Sequence, residues 1–250
     1  MTSAYSITFE NDTVAQVAEL SSAEQVESAL QTLAMPTPKA TLVVIGGASG
    51  LTDEYLDCLR NLFIEVVCPF AEAHQLAVVD GGTDSGVMRL MGKARAETQS
   101  TFPLLGIVVK EKTFLPNEVS TAQDASALEP HHTHFVLVPG TAWGDESPWI
   151  AQVADSVAGE MPSATLLING GEIALHKDVP NSLGSQRPVL VIAGSGRAAD
   201  QLAAALKGSN SDDAINAMIS TGMIQAVALT EGTERLKQAL DQAFRESIRE

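Results

Sequence analysis

Basic residues are scarce in this chain. Fifteen Lys and Arg stand against 31 Asp and Glu, for a formal net charge of −16. That balance argues against tracking a nucleic-acid backbone or lying on an anionic membrane. A small anionic ligand stays open, because local N–H groups and a few cations outweigh distant negative charge. Long apolar runs are missing too. No stretch approaches roughly eighteen apolar residues, and the N-terminus has no basic-then-apolar leader, so the sequence reads as cytosolic. Cysteine is limited to Cys58 and Cys68. They share one helical pattern and lie roughly 15 Å apart along its axis, too far for a disulfide.

The chain has 250 residues, enough for a full core in one α/β domain. Residues 1–38 read as an N-terminal extension packing on that core. A short alternating stretch over 5–9 is followed by helical patterns at 14–20 and 23–33, and Pro36 and Pro38 then break the chain. From residue 39 onward a single domain is expected. Apolar runs predict strands over 41–45, 76–79, 104–109, 134–138, 165–168, 188–192 and 224–229. Helical patterns fall between them at 52–73, 87–97, 148–160, 171–177, 196–206, 212–220 and 231–249. Continuous β-branched strands alternating with helices imply a doubly wound, Rossmann-like and mainly parallel sheet of about seven strands, covered on both faces. The weak periodicity of 110–128, with Pro116 inside it, predicts a long loop over the strand ends.

In such a sheet, ligands bind beyond the carboxyl ends of the strands. Small residues crowd those ends here. The runs are Gly46-Gly47-Ala48-Ser49-Gly50, Asp80-Gly81-Gly82-Thr83-Asp84-Ser85-Gly86-Val87-Met88, Pro139-Gly140-Thr141, Asn169-Gly170-Gly171-Glu172 and Gly194-Ser195-Gly196-Arg197. The second is the most informative. A buried strand enters a glycine turn and a helix follows, so the helix's first N–H groups and its dipole face an anion, most often a phosphate. Thr83, Asp84 and Ser85 are also good N-caps, which satisfies part of that site internally. Taken together, the turns describe a wide groove floored by bare backbone.

Individual side chains carry paired readings. Asp84 either meets a ribose hydroxyl or caps the helix near Gly86. Arg89 lies close enough to that helix start to reach a phosphate, whereas Lys93 and Arg95 read as solvated. Arg197 occupies a first helical turn, where the dipole disfavours a cation and a phosphate would explain it. His132 and His134 share a strand face, yet a zinc site needs three or four ligands, so no metal is expected and the histidines read as structural. Trp143 and Trp149 stand out because aromatics make up 4% of the chain. One at the rim can stack on a base, while Trp149, after Pro148, reads as core. Glu172 is the best candidate for an acting carboxylate, and equally a favourable first-turn acid.

The turn from Asp80 to Met88 resembles the glycine turn of the SLOG superfamily of Rossmann-like domains. The segment Leu128-Glu129-Pro130-His131-His132-Thr133-His134-Phe135-Val136-Leu137-Val138 is similar to one in the N-terminal cytosolic domain of melastatin-type TRP channels. Residues 187–196 match that domain's glycine-ended strand more loosely. The resemblance covers roughly residues 40–207 and implies a prokaryotic stand-alone relative without a channel. It further implies a nucleotide-derived small-molecule ligand, ADP-ribose-like or NAD-related. No certain cofactor, nucleic-acid polymer or membrane partner is implied, and a homo-oligomer is open. A sister branch, the Lonely-guy phosphoribohydrolases, carries a proline, two glycines, a Gly-Thr pair and a downstream glutamate. Residues 169–172 lack the proline and the Gly-Thr pair, and residues 194–201 lack the glutamate. The expectation is therefore a binding or sensing module without a catalytic residue. The alternative is an N-glycosidic hydrolase acting through Glu172. An NAD(P)-dependent oxidoreductase fits worse, since 46–50 has the wrong spacing for G-x-G-x-x-G and Tyr is scarce.

Overall fold

The computed structural model describes residues 3–47, 53–118 and 124–247, with the side chains of 53–56 and 58 left aside. Ala48, Ser49 and Gly50 therefore lie outside the described residues. Eleven strands are present among them. β1 (Ala4–Thr8), β2 (Val14–Glu19), β3 (Ala40–Gly46), β4 (Leu76–Asp80) and β5 (Leu104–Val109) come first. The short β6 (Thr113–Phe114) and β7 (Ser126–Ala127) follow, then β8 (His134–Val138), β9 (Ser163–Ile168), β10 (Val189–Ala193) and β11 (Ile224–Ala228).

The main sheet has nine strands in the order β1-β2-β8-β5-β4-β3-β9-β10-β11, with β6 and β7 forming a separate two-residue pair. All pairings in the main sheet are parallel except β1 with β2. The sheet is thus larger than the expected seven strands, and mixed. The difference lies in the N-terminal segment. Residues 14–20 fit a helical period, but Val14–Glu19 is a strand, because its parallel pairing with β8 and antiparallel pairing with β1 bury Ala15, Val17 and Ala18. Tertiary pairing overrides a local pattern that is compatible with either state. The 110–128 region, expected as a loop, contains a 3₁₀ turn at Lys110–Lys112 besides β6 and β7.

Helices cover both faces. α1 (Val26–Leu33), α5 (Ser147–Ala158), α6 (Val179–Gly184), α7 (Arg197–Leu206) and α8 (Asp213–Ser220) bury Leu33, Val153, Val179 and Leu202 against the odd-numbered strand residues Val43, Val79 and Leu105. On the other face, α2 (Asp53–Leu62), α3 (Cys68–Ala73), α4 (Gly86–Glu97) and α9 (Thr233–Glu246) bury Leu59, Phe70, Met91 and Leu240 against Leu42, Val44 and Val78. Burial pushes the Cys68 thiol up to about 12, which keeps it protonated and inert.

Two wide π turns, Phe63–Val67 and Ala174–Asp178, each stand just before a helical proline, Pro69 and Pro180. A proline ring clashes with the carbonyl four residues back and offers no N–H to it, and widening the turn relieves both problems. The second π turn lets the helix expected to end at Lys177 run on to Gly184. Among the described residues no helix is long and apolar enough to cross a membrane.

Candidate functional site

Strand order reverses between β3 and β9. From β3 the chain steps through β4, β5 and β8 to one side, then returns through α5 to β9 on the other. Backbone loops diverge at such a switch point and leave a crevice. A cleft of about 570 Å³ opens there, within the range of small-ligand sites. Gly46 and Gly47 at the end of β3, Gly81, Thr83, Ser85 and Met88 around the α4 start, and Gly171, Glu172 and Arg197 opposite are its walls. These were legible in the sequence. Trp143, Ile150, Ile173, Ala174, Glu146 and Asp178 also line it.

The α4 turn is braced from below by buried charge. Asp80 Oδ1 accepts from Gly82 N–H at 2.7 Å and lies 2.8 Å from His132 Nε2. The other ring nitrogen, Nδ1, lies 2.9 Å from Glu129 Oε2. Glu129 also accepts from the His131 backbone N–H at 2.8 Å and sits 2.7 Å from the His131 ring. Despite the opposing effect of burial, the two flanking carboxylates raise His132 to about 9, so it is an imidazolium at neutral pH. Glu129 is held below the usual range by the two histidines although burial pushes it up. The backbones join as well: Glu129 N–H donates to Gly82 O at 3.0 Å and Asp84 N–H to Ala127 O at 2.8 Å. His131 and His132 are thus both tied into this brace. His134 is buried between β2 and β5, 2.7 Å from the Thr133 hydroxyl, and burial lowers it to about 4, so it is neutral.

Several expected ligand groups also make contacts within the fold. Gly82 (φ +62°) is buried against Gly106, and a Cβ on Gly46 would lie 2.4 Å from Val87. These glycines let elements approach each other. Asp84 pairs with Arg89 at 2.7 Å, and neither lines the cleft. Arg95, expected in solvent, donates to Phe102 O at 2.8 Å and covers the Phe102 ring, whereas Lys93 is exposed.

Gly194, Ser195 and Gly196 do not line the cleft either. Ser195 is buried, its hydroxyl donating to Ile192 O and accepting from Asn169 N–H. The first N–H groups of α7, those of Ala198 and Ala199, donate to Gly170 O and Asn169 O. These N–H groups are therefore satisfied internally. Pro139 and Gly140 line a neighbouring depression, and Thr141 N–H donates to Asp145 Oδ2. Glu172 reaches the rim, but its side chain is 81% exposed and 3.1 Å from His176. Trp149 packs on the core as expected, while Trp143 faces the cleft with its indole N–H donating to Asp124 O.

The family model described as SLOG in TRPM, prokaryote, matches residues 39–238. The chain belongs to that SLOG family. No curated protein matches it. Within this SLOG domain the two segments of closest resemblance, 80–88 and 128–138, are the two halves of the Asp80–His132–Glu129 brace.

Arg197 holds a left-handed backbone (φ +52°) although it is not glycine. Its guanidinium lies over Gly171, where a Cβ would come within 2.6 Å of Nη2. Such strain amounts to about 1–3 kcal/mol and collects at ligand-binding positions.

Asp178 and Glu146 escaped the sequence reading. Asp178 follows Ala174 by one turn on the buried face of its helix, and Glu146 precedes the first residue of α5. Burial raises both carboxyls, Asp178 to about 6. Glu146 pushes Asp178 further up, while Ser147 and Lys177 temper it. Because folding raises this pKa, its ionisation opposes the fold. The associated stability is complete below pH 3.8 and is lost as pH rises through 6. Asp178→Asn is expected to stabilise the protein by about 2–3 kcal/mol at pH 8, with the gain vanishing towards pH 4. Urea midpoints across that range measure it.

Proposed function

We propose that the cleft binds a phosphate-bearing nucleotide derivative, ADP-ribose-like or NAD-related, as a binding or sensing module. The observation that carries this reading is convergence. Thr83 and Ser85 just ahead of α4, Met88 in its first turn and the strained Arg197 line one cleft at the switch point. Helix N-termini and guanidinium groups both favour phosphate oxygens. In a chain of net charge −16, only such local groups can hold an anion. Membership of the SLOG family supports a nucleotide-related ligand.

Hydrolysis through Glu172 lacks comparable support. An acting carboxylate needs a site that excludes water, and this side chain stands in solvent.

Calorimetry against ADP-ribose, cyclic ADP-ribose, NAD and AMP tests the proposal. At least one is expected to bind, and Arg197→Ala to weaken it about tenfold or more, as for loss of a charge-assisted hydrogen bond. Absence of binding across the panel refutes it.

A further inference from the structure

The cleft lining carries two chemically opposite sets of groups. Thr83, Ser85 and Arg197 suit an anion, whereas Glu146 and Asp178 repel one. Asp178 Oδ1 is sealed from solvent without a hydrogen bond of ordinary geometry. A buried acid without a proper partner is destabilising, so its retention in this cleft points to a ligand. Apolar Ile150 and Ile173 and the indole of Trp143 line the same cleft, and flat aromatic ligands favour such surfaces.

Resting on the nucleotide reading above, we propose that Glu146 and Asp178 form the base-reading end of the cleft, pairing with a nucleobase that carries an exocyclic amino group beside a ring nitrogen. The phosphate then lies at Thr83, Ser85 and Arg197, which fixes the direction of the ligand. The chemistry is that of a carboxyl pair holding one proton. The ionised member accepts from the amino group, and the protonated member donates to the ring nitrogen. Glu146 Oε2 already accepts from Gly144 N–H at 2.8 Å, and that bond favours its ionised form. Asp178, raised to about 6, supplies the donor. The charged groups acting on the pair are Asp145 at the start of α5 and Lys177 on the Asp178 helix. Glu172 and Arg197 also border the cleft.

The test compares AMP, N6,N6-dimethyl-AMP and ribose 5-phosphate by calorimetry on the full chain. Quoting affinities relative to ribose 5-phosphate cancels titration of the phosphate and of groups near it. Wild type is expected to prefer AMP over ribose 5-phosphate at least tenfold at pH 5.5. Dimethylation should remove most of that preference. It should shrink about fivefold by pH 8, as Asp178 loses its proton. In Asp178→Leu it should fall below threefold at every pH, with ribose 5-phosphate affinity kept within twofold. In Asp178→Asn, where an amide supplies the donor at any pH, it should persist without pH dependence. Thermal melts establish that each variant is folded. Equal preference in wild type and Asp178→Leu, or equal binding of AMP and its dimethyl analogue, overturns the inference while phosphate binding stands. Loss of binding by all three ligands in wild type overturns the inference, while the nucleotide reading stands or falls with ADP-ribose, cyclic ADP-ribose and NAD.

Discussion

His132→Leu is expected to destabilise the fold by about 3–5 kcal/mol at neutral pH, the range for removing one partner of a buried ion pair. The substitution keeps the side-chain volume roughly constant, so the loss is electrostatic. It leaves Asp80 and Glu129, both fully buried, without the cation between them. His131 still reaches Glu129, but Asp80 keeps only the Gly82 N–H. The pH dependence has a definite sign. Folding raises His132 from 6.5 to about 9, so its stabilisation is complete below pH 6.5 and disappears as pH rises through 9. Glu129, lowered by folding, acts at the other end, where stability is lost as acid protonates it. Urea midpoints from pH 5.5 to 10 are therefore expected to fall across 6.5–9 in wild type and to lose that fall in His132→Leu, which keeps only the slope from Asp178 near pH 6. A flat wild-type profile would contradict a charged His132.

Gly82→Ala has the second large effect, about 3 kcal/mol or more, combining left-handed strain with overpacking. The new Cβ would meet Gly106 Cα at 2.8 Å and Val108 Cγ1 at 2.9 Å. The contact is reciprocal, since a Cβ on Gly106 would lie 2.6 Å from Gly82 Cα. Backbone cannot swing aside as a side chain can. Gly194→Ala is the informative control: its φ is +86°, but nothing lies within 4 Å. Only the conformational term remains there, about 1 kcal/mol. Thermal melts of the two variants separate packing from backbone strain. A ligand-binding defect in Gly82→Ala is accordingly expected to follow from the fold, and equal losses in both variants would remove the packing argument.

The parallel strands were legible because they are buried on both faces, and 104–109 or 134–138 leave no polar alternation to misread. β2 was not. Val14, Ala15, Val17 and Ala18 fit one face of a helix, and only β8, far along the chain, makes them a strand. The glycine turns were visible as turns, but not their reason. Nothing near Gly82 in sequence reveals Gly106, and nothing near Gly46 reveals Val87. Asp178 was hidden by the early end assigned to its helix at Lys177. Carried through Pro180, the same period places Asp178 on a face with Ala174, Leu175, Val179 and Ser182, where a lone acid is conspicuous. Glu146 looked like an ordinary acid before a helix. Only the crossing of α5 over the switch point brings it to Asp178.

The pairing of β2 with β8 has a consequence for synthesis. The N-terminal hairpin leaves the ribosome well before its partner strand, which ends at Val138. At about 5–20 residues per second, β2 waits on the order of ten seconds for β8 to emerge. During that interval Ala15, Val17 and Ala18 are unsheltered on a nascent chain. The acidic Glu10 and Asp12 in the hairpin turn and Glu19 at the end of β2 are then the charges that oppose premature association.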